Sequence, residues 1–322
     1  MLFRTWTLSS LALSWPIYAA LAWVLEVGVR NARTGTPVYR RHLLLFAAVG
    51  LFGGLFSGHW LAAPAGAALG LALSCLPLGW WRWLMTLGWL GGLARRPDPS
   101  VPLILVADPH WRDGLTGLRE ATLRNPEADW LFLGDIFDVW VGLPGMGPPL
   151  QAEFLAWVDE RRGRGRWVGL WMGNREFFLD GLSDRFDLMG EGIGGGLPEE
   201  KLAWEHGDLI NKADWRYRIW NLVSRSGPCW LLARSLPRTT TQALARNLER
   251  RMRTTNRAYK LAFPRAAFRA AAAAHPGATF ITGHFHTLER EGNGTALPWA
   301  HDGTFMLWRE GALKPLAGLL DL

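Results

Sequence analysis

The sequence is short of charge, of cysteine and, over long stretches, of acids. Charged residues make up only 20% of its 322 residues, which is low for a chain wetted on every side. The two cysteines, Cys75 and Cys229, lie far apart in apolar surroundings. They exclude a disulfide framework and agree with a reducing compartment. Between Leu43 and Leu93 the one charged residue is Arg82. Residues 1–96 hold eight basic residues against a single acid, Glu26, a local charge of +7. Residues 212–269 hold fourteen basic residues against two acids, a charge of +12. The whole chain is +7, so the remainder is −12. An acidic centre suits cations, and a basic flank suits an anionic lipid or nucleotide. No groove-reading or base-stacking motif accompanies the basic run, so a nucleic-acid partner is not expected.

Apolar residues are plentiful, at 49%, and there are 20 tryptophans, a residue that favours bilayer interfaces. Trp6 to Val29 is mostly apolar and long enough for a hydrocarbon core of about 30 Å. Ala20-Leu21-Ala22 has the small-residue spacing of a signal cleavage site. Only Arg4 marks a charged start, however, and apolar residues continue past the cut, which argues against cleavage. A loop with Arg30, Arg33, Arg40 and Arg41 follows. Leu43 to Leu93 then has the length of two further crossings, with Trp80, Trp81, Trp83 and Trp89 as an interfacial belt. Three crossings put the Arg30–Arg41 loop and Arg95-Arg96 on one face, which the positive-inside rule makes cytoplasmic. The expectation is an all-α transmembrane region over 1–96, in a multi-pass protein of the inner membrane. Asp98-Pro99-Ser100 is the linker to a second domain, 97–322, facing the cytoplasm.

That second domain repeats one pattern, an apolar strand running into hard polar ligands. Leu103 to Ala107 leads to Asp108-Pro109-His110. Trp130 to Leu133 leads to Gly134-Asp135 within LGDIFDVWVG. Val168 to Met172 leads to Gly173-Asn174-Arg175-Glu176. Leu202 to Trp204 leads to His206-Gly207-Asp208, and Thr279 to Thr282 leads to Gly283-His284-Phe285-His286. Groups at strand C-terminal ends can converge on one rim of a sheet. Imidazole, carboxylate and amide oxygen together suit a divalent ion such as Mn, Fe or Zn. Helical patterns near Leu115–Leu123 and Gln151–Arg162 alternate with the strands, as in an α/β sandwich. Gly190 to Gly196 reads as a loop. Leu297 to Leu316 reads as a closing hairpin of the second sheet, around Asp302-Gly303.

The order Asp-x-His, Gly-Asp, Gly-Asn-Arg, His-Gly-Asp, Gly-His-x-His resembles the calcineurin-like metallophosphoesterases. The string GDIFDVWVG, with Arg after Gly-Asn, is similar to the bacterial UDP-2,3-diacylglucosamine pyrophosphatases. The resemblance runs from about Val101 to the C-terminus. It implies a four-layer αββα sandwich with a helical cap insertion. It also implies two divalent ions, expected to be Mn2+, that share Asp135. Asp108, His110, Asp135 and His286 would hold the first, and Asp135, Asn174, His206 and His284 the second. Such a pair clamps the attacking and leaving oxygens of an in-line displacement. Asn174 and Arg175 would be catalytic, with the Arg175 guanidinium lying on the phosphate. No His follows Asn174 as a general acid, which a phosphate leaving group tolerates. Glu176 stands where the family usually has Asp.

Residues 211–274 are basic and helical in pattern, with Trp215, Ile219, Leu222 and Val223 and then Leu244, Leu248 and Met252 at helical spacing. They interrupt the domain between His206 and His284. The expected cap takes acyl chains on its apolar side and phosphates on Arg250, Arg253 or Lys260. The resemblance implies hydrolysis of UDP-2,3-diacylglucosamine to UMP and lipid X, in lipid A biosynthesis. The partners expected are that lipid-linked nucleotide and the bilayer. Two alternatives stand beside it. One is a metallophosphoesterase acting on another phospholipid or a polyprenyl phosphate. The other is a non-catalytic metal-binding membrane module.

Overall fold

The computed structural model describes residues 96–192, 195–211, 215–225, 227–259, 263–300 and 304–316. The chain divides into two compact units: Met1–Ala94 with Trp220–Ser235, and Arg95–Ile219 with Leu236–Leu322. The described part of the first unit is helical, and Trp220, Val223 and Leu232 are exposed on it.

The second unit holds two sheets. Strands β1 (Leu103–Val106), β2 (Asp129–Phe132), β4 (Val168–Met172) and β6 (Leu188–Glu191) run parallel. Parallel strands are covered on both faces, so they read as unbroken apolar runs, and LILV, DWLF and VGLWM are buried throughout. The antiparallel strands β12 (Met306–Arg309) and β13 (Ala312–Pro315) complete the order β13-β12-β1-β2-β4-β6. The second sheet has the order β10-β11-β9-β8-β7. Its strands are β7 (Gly195–Leu197), β8 (Leu202–Glu205), β9 (Thr279–Thr282), β10 (Glu289–Glu291) and β11 (Gly294–Ala296). A short parallel pair, β3 (Trp140–Val141) with β5 (Glu176–Phe177), stands apart from both.

The two sheets pack face to face. Leu103, Leu105, Leu131, Trp167 and Trp171 of the first share one buried cluster with Leu202, Trp204 and Ile281 of the second. Helices α1 (Thr116–Arg124) and α2 (Gln151–Gly163) cover the outer face of the first sheet. There Trp130 and Phe132 meet Phe154 and Trp157 edge-on, at centroid separations of 5.1 to 5.7 Å. Helices α3 (Trp215–Ser224), α4 (Gly227–Ser235) and α5 (Arg238–Tyr259) follow β8. Helix α6 (Arg265–Ala273) lies over the second sheet, with Phe268 and Ala272 buried against Ala203, Phe280 and Ala296.

Three expectations need correction. No helix among the described residues is long and apolar enough to cross a membrane. The longest, α5, has 22 residues and carries arginines along its length, whereas a crossing needs about 20 predominantly apolar ones. The fold is therefore a mixed α/β sandwich without a supported transmembrane region, and the multi-pass inner-membrane localisation falls with it. The segments assigned to the three crossings, within 1–95, lie outside the described residues. Second, Gly190 to Gly196 is not one loop, since β6 ends in it and β7 begins in it. The glycines make room for indoles. A Cβ on Gly190 would strike the Trp171 ring, and one on Gly195 would stand 2.6 Å from Trp204 Nε1. Third, the closing hairpin belongs to the first sheet and turns at Glu310-Gly311. Both residues have positive φ, 52° and 76°, as a two-residue turn between right-twisted strands requires.

Candidate metal centre

The exits of β1, β2, β4, β8 and β9 bring the strand-end residues together. Asp108 follows β1, and its amide donates to Gly134 O (3.2 Å), while the His110 amide donates to Asp135 O (3.0 Å). These bonds tie the first two ligand turns to each other. Asp108, His110, Asp135, His284 and His286 all have left-handed backbones, with φ of 51°, 44°, 54°, 68° and 55°. Such conformations are uncommon away from glycine. They reverse the chain directly after each strand and aim the side chains at one point. Gly134 and Gly173 let the turns close. A Cβ on Gly173 would stand 2.5 Å from Asp135 Oδ1 and 2.6 Å from His206 Cε1.

Two groups of side chains have their ligand atoms mutually within 4.8 Å: Asp108, His110 and His286, and Asp108, Asp135 and His206. Asp135 sits between imidazoles, with Oδ2 3.6 Å from His110 Nε2 and Oδ1 3.6 Å from His206 Nε2. Asp108 Oδ1 is 3.4 Å from His286 Nε2, and Oδ2 accepts the His284 amide at 2.6 Å. Asn174 Oδ1 lies 3.1 Å from both His206 Nε2 and His284 Nδ1. The eight residues Asp108, His110, Asp135, Asn174, Arg175, His206, His284 and His286 thus share one site. Arg253 lies on α5; its side chain, like the whole of Lys260, lies outside the described residues.

The donor set fits divalent cations. Asp108 Oδ1 and both ring nitrogens of His110 are buried with no hydrogen-bond partner. Buried polar atoms normally find one, and these three atoms are oxygen and nitrogen donors of the kind such ions take. Burial alone would push Asp108 and Asp135 up. The surrounding histidines outweigh it, His286 first for Asp108 and His206 first for Asp135, and hold both carboxyls below the ordinary range. Burial pushes His110 and His284 down to about 4. His206 goes the other way, to about 9, because Asp135, Asp108 and Asp208 outweigh its burial. Its Nδ1 lies 2.7 Å from Leu133 O. Leu133 O can only accept, so Nδ1 carries the proton and donates to it, and Nε2 is the nitrogen that faces Asn174 Oδ1.

Arg175 is buried. Its backbone amide donates to Asp135 Oδ1 (3.0 Å), its Nη1 to Asp138 O (3.3 Å), and its Nε lies 3.7 Å from Asp135 Oδ2. Glu176 is 1% exposed and accepts three backbone amides: Asp135 (3.0 Å), Ile136 (2.8 Å) and Gly173 (2.7 Å). Burial and the adjacent Asp135 carboxylate push it up to about 7. Two neighbours of the site went unread in the sequence. Asp138 Oδ1 stands 3.7 Å from His110 Nδ1 and accepts Arg112 Nη2 at 2.7 Å. Trp299 stacks on His286 at 5.3 Å between ring centroids. Asp138 lies inside GDIFDVWVG and could have been flagged there. Trp299 follows no motif.

No protein-family model matches the chain. Among curated proteins it is similar to the UDP-2,3-diacylglucosamine hydrolase of Ectopseudomonas mendocina (strain ymp). The two are 30% identical over 167 residues, 48% of this chain and 67% of that protein. Proteins of the same name are similar in Stutzerimonas stutzeri (strain A1501), at 27% over 48% of this chain and 68% of that one, and in Pseudomonas putida (strain W619), at 28% over 57% and 81%.

Proposed function

This chain belongs to the UDP-2,3-diacylglucosamine hydrolase family of metallophosphoesterases, and from that membership we propose that it hydrolyses the pyrophosphate bond of UDP-2,3-diacylglucosamine. Water adds to one phosphorus, the bridging P–O bond breaks, and UMP and 2,3-diacylglucosamine 1-phosphate leave. The observation that carries the reading is the set of orphaned donors on Asp108 and His110, inside a cluster of six further polar side chains.

Asp108, His110, Asp135 and His286 would hold one divalent ion, and Asp135, Asn174, His206 and His284 a second. The ions, expected to be Mn2+, would polarise the phosphoryl oxygens and acidify the attacking water. Asp135 would be the anion that both share. Asn174 spans His206 and His284 and fixes their ring orientations. Arg175 is pinned by Asp138 O and faces Asp135, so its guanidinium is in place for charge that builds on phosphate oxygens. Both products leave as phosphates, so the step needs no strong proton donor where other phosphoesterases carry a histidine. Glu176 holds the amides of the Asp135 and Gly173 turns and so fixes the ligand backbone. The exposed Trp215 and Ile219 of α3 and Leu244 of α5 would receive the acyl chains, and Arg250, Arg253 and Lys260 the phosphates.

The purified full chain with Mn2+ should release UMP from UDP-2,3-diacylglucosamine in detergent. Turnover of other phospholipid or polyprenyl diphosphates, with none of this lipid, would reject the substrate and keep the chemistry. Metal bound with no turnover on any of them would reject the enzyme.

Metal loading should also expel a proton. At pH 8 the His206 ring still carries its second proton, while His110 and His284 are already neutral and Glu176 is mostly ionised. A ligating nitrogen must lose its proton. Calorimetry of Mn2+ binding in buffers of different ionisation enthalpy should therefore give at least about one proton released per chain, that of His206, to which the attacking water adds its own as it ionises. A slope of zero would remove His206 from the ligand set.

A further inference from the structure

We propose that Trp299 is the stacking platform for the nucleobase of the substrate, and so sets its preference for a nucleotide over a simple phosphate ester. This rests on the nucleotide-lipid reading above. Trp299 is tethered on both sides. The Leu297 amide donates to Thr282 O at the end of β9 (2.7 Å), and the Ala300 amide donates to Ala107 O at the end of β1 (3.0 Å). These are the two strand ends from which His284 and His286, and Asp108 and His110, depart. The indole lies nearly parallel to His286, at 5.3 Å and 13°, and meets His110 edge-on at 6.4 Å. It nonetheless keeps 37% of its surface open to solvent. A large aromatic so exposed beside a buried polar cluster is placed for a ligand rather than for the core.

The position also separates the two ends of an amphiphile. The first turn of α3 stands beside His206 and His284, where the Tyr217 hydroxyl donates to Asp208. Trp299 stands over His286 and His110, on the other group of ligands. An acyl end on the exposed Trp215 and Ile219 of α3 leaves the nucleotide end towards Trp299. Base-on-indole stacking is tolerant of base identity and is lost on truncation to alanine. Lipid and sugar offer no planar π-face to it.

The test is calorimetric, on the full chain saturated with Mn2+, with UMP and ribose 5-phosphate as probes. Trp299→Ala should weaken UMP binding by about tenfold and leave ribose 5-phosphate binding within about twofold, whereas Trp299→Phe should keep most of the UMP affinity. In turnover of UDP-2,3-diacylglucosamine the alanine variant should raise KM more than it lowers kcat. Equal weakening of both probes would mean that Trp299 acts only by orienting His286, and would overturn the proposal, as would no weakening of either. A wild-type chain that binds UMP through Trp299 but releases none from the lipid would reject the substrate assignment and leave the platform standing.

Discussion

Asp135→Asn is expected to cut kcat/KM for UMP release by about 10³-fold or more, a loss of about 4 kcal/mol of transition-state stabilisation. The substitution keeps the side chain's volume and its ability to accept the Arg175 amide. It removes the charge that faces His110 Nε2 and His206 Nε2 at 3.6 Å each. Both proposed ion sites draw on that carboxylate, so one neutralisation weakens both. The charged Arg175 would also lose the anion that its Nε faces at 3.7 Å. Metal content by mass spectrometry should fall along with activity, while the far-ultraviolet circular dichroism stays that of the wild type. Full activity with full metal content would mean that the two ions do not share Asp135.

Glu176→Ala should have the largest effect on stability. It strips the acceptor from three buried backbone amides at once, those of Asp135, Ile136 and Gly173. An orphaned buried donor costs about 1–3 kcal/mol, so the loss should be about 3 kcal/mol or more. At about 2–4 °C per kcal/mol for a domain of this size, the melting temperature should drop by at least about 6 °C. Glu176→Gln should lose part of this, since its amide nitrogen would face donors. Glu176→Asp should lose least, as it keeps both oxygens on a shorter stem. An alanine variant that melts with the wild type would show that water fills the acceptor role.

The contrast between Asp135 and Glu176 shows what the sequence could convey. Ligand turns were legible because each follows a short buried strand: Val168–Met172 and Thr279–Thr282 are read to the residue, and Leu103, Trp130 and Leu202 fall within their strands. Glu176 was visible only as a departure from the family's Asp; two of its three amide contacts, Ile136 and Asp135, lie 40 and 41 residues away in the chain. The pair β3 and β5 is two residues per strand, too short for any period. Gly190 and Gly195 misled because strand glycines usually mean a break, whereas here indoles from neighbouring strands lie on them. Trp299 owes its place to tethers from two sheets, and no local pattern encodes that. The N-terminal spans were read from apolar runs, arginine clusters and a tryptophan belt; those segments lie outside the described residues, and no helix among the described ones is long and apolar enough to cross a membrane.

The left-handed backbones at Asp108, His110, Asp135, His284 and His286 bear on how this protein could be hardened against heat. Each holds a residue with a Cβ where glycine would rest more easily, at a cost of order 1–3 kcal/mol. Selection for endurance alone would therefore drift towards glycine at these five places, relaxing the turns while erasing the chemistry. Gains that leave turnover intact must be sought elsewhere, for instance in the surface helices, where no backbone is held under tension for the sake of the reaction.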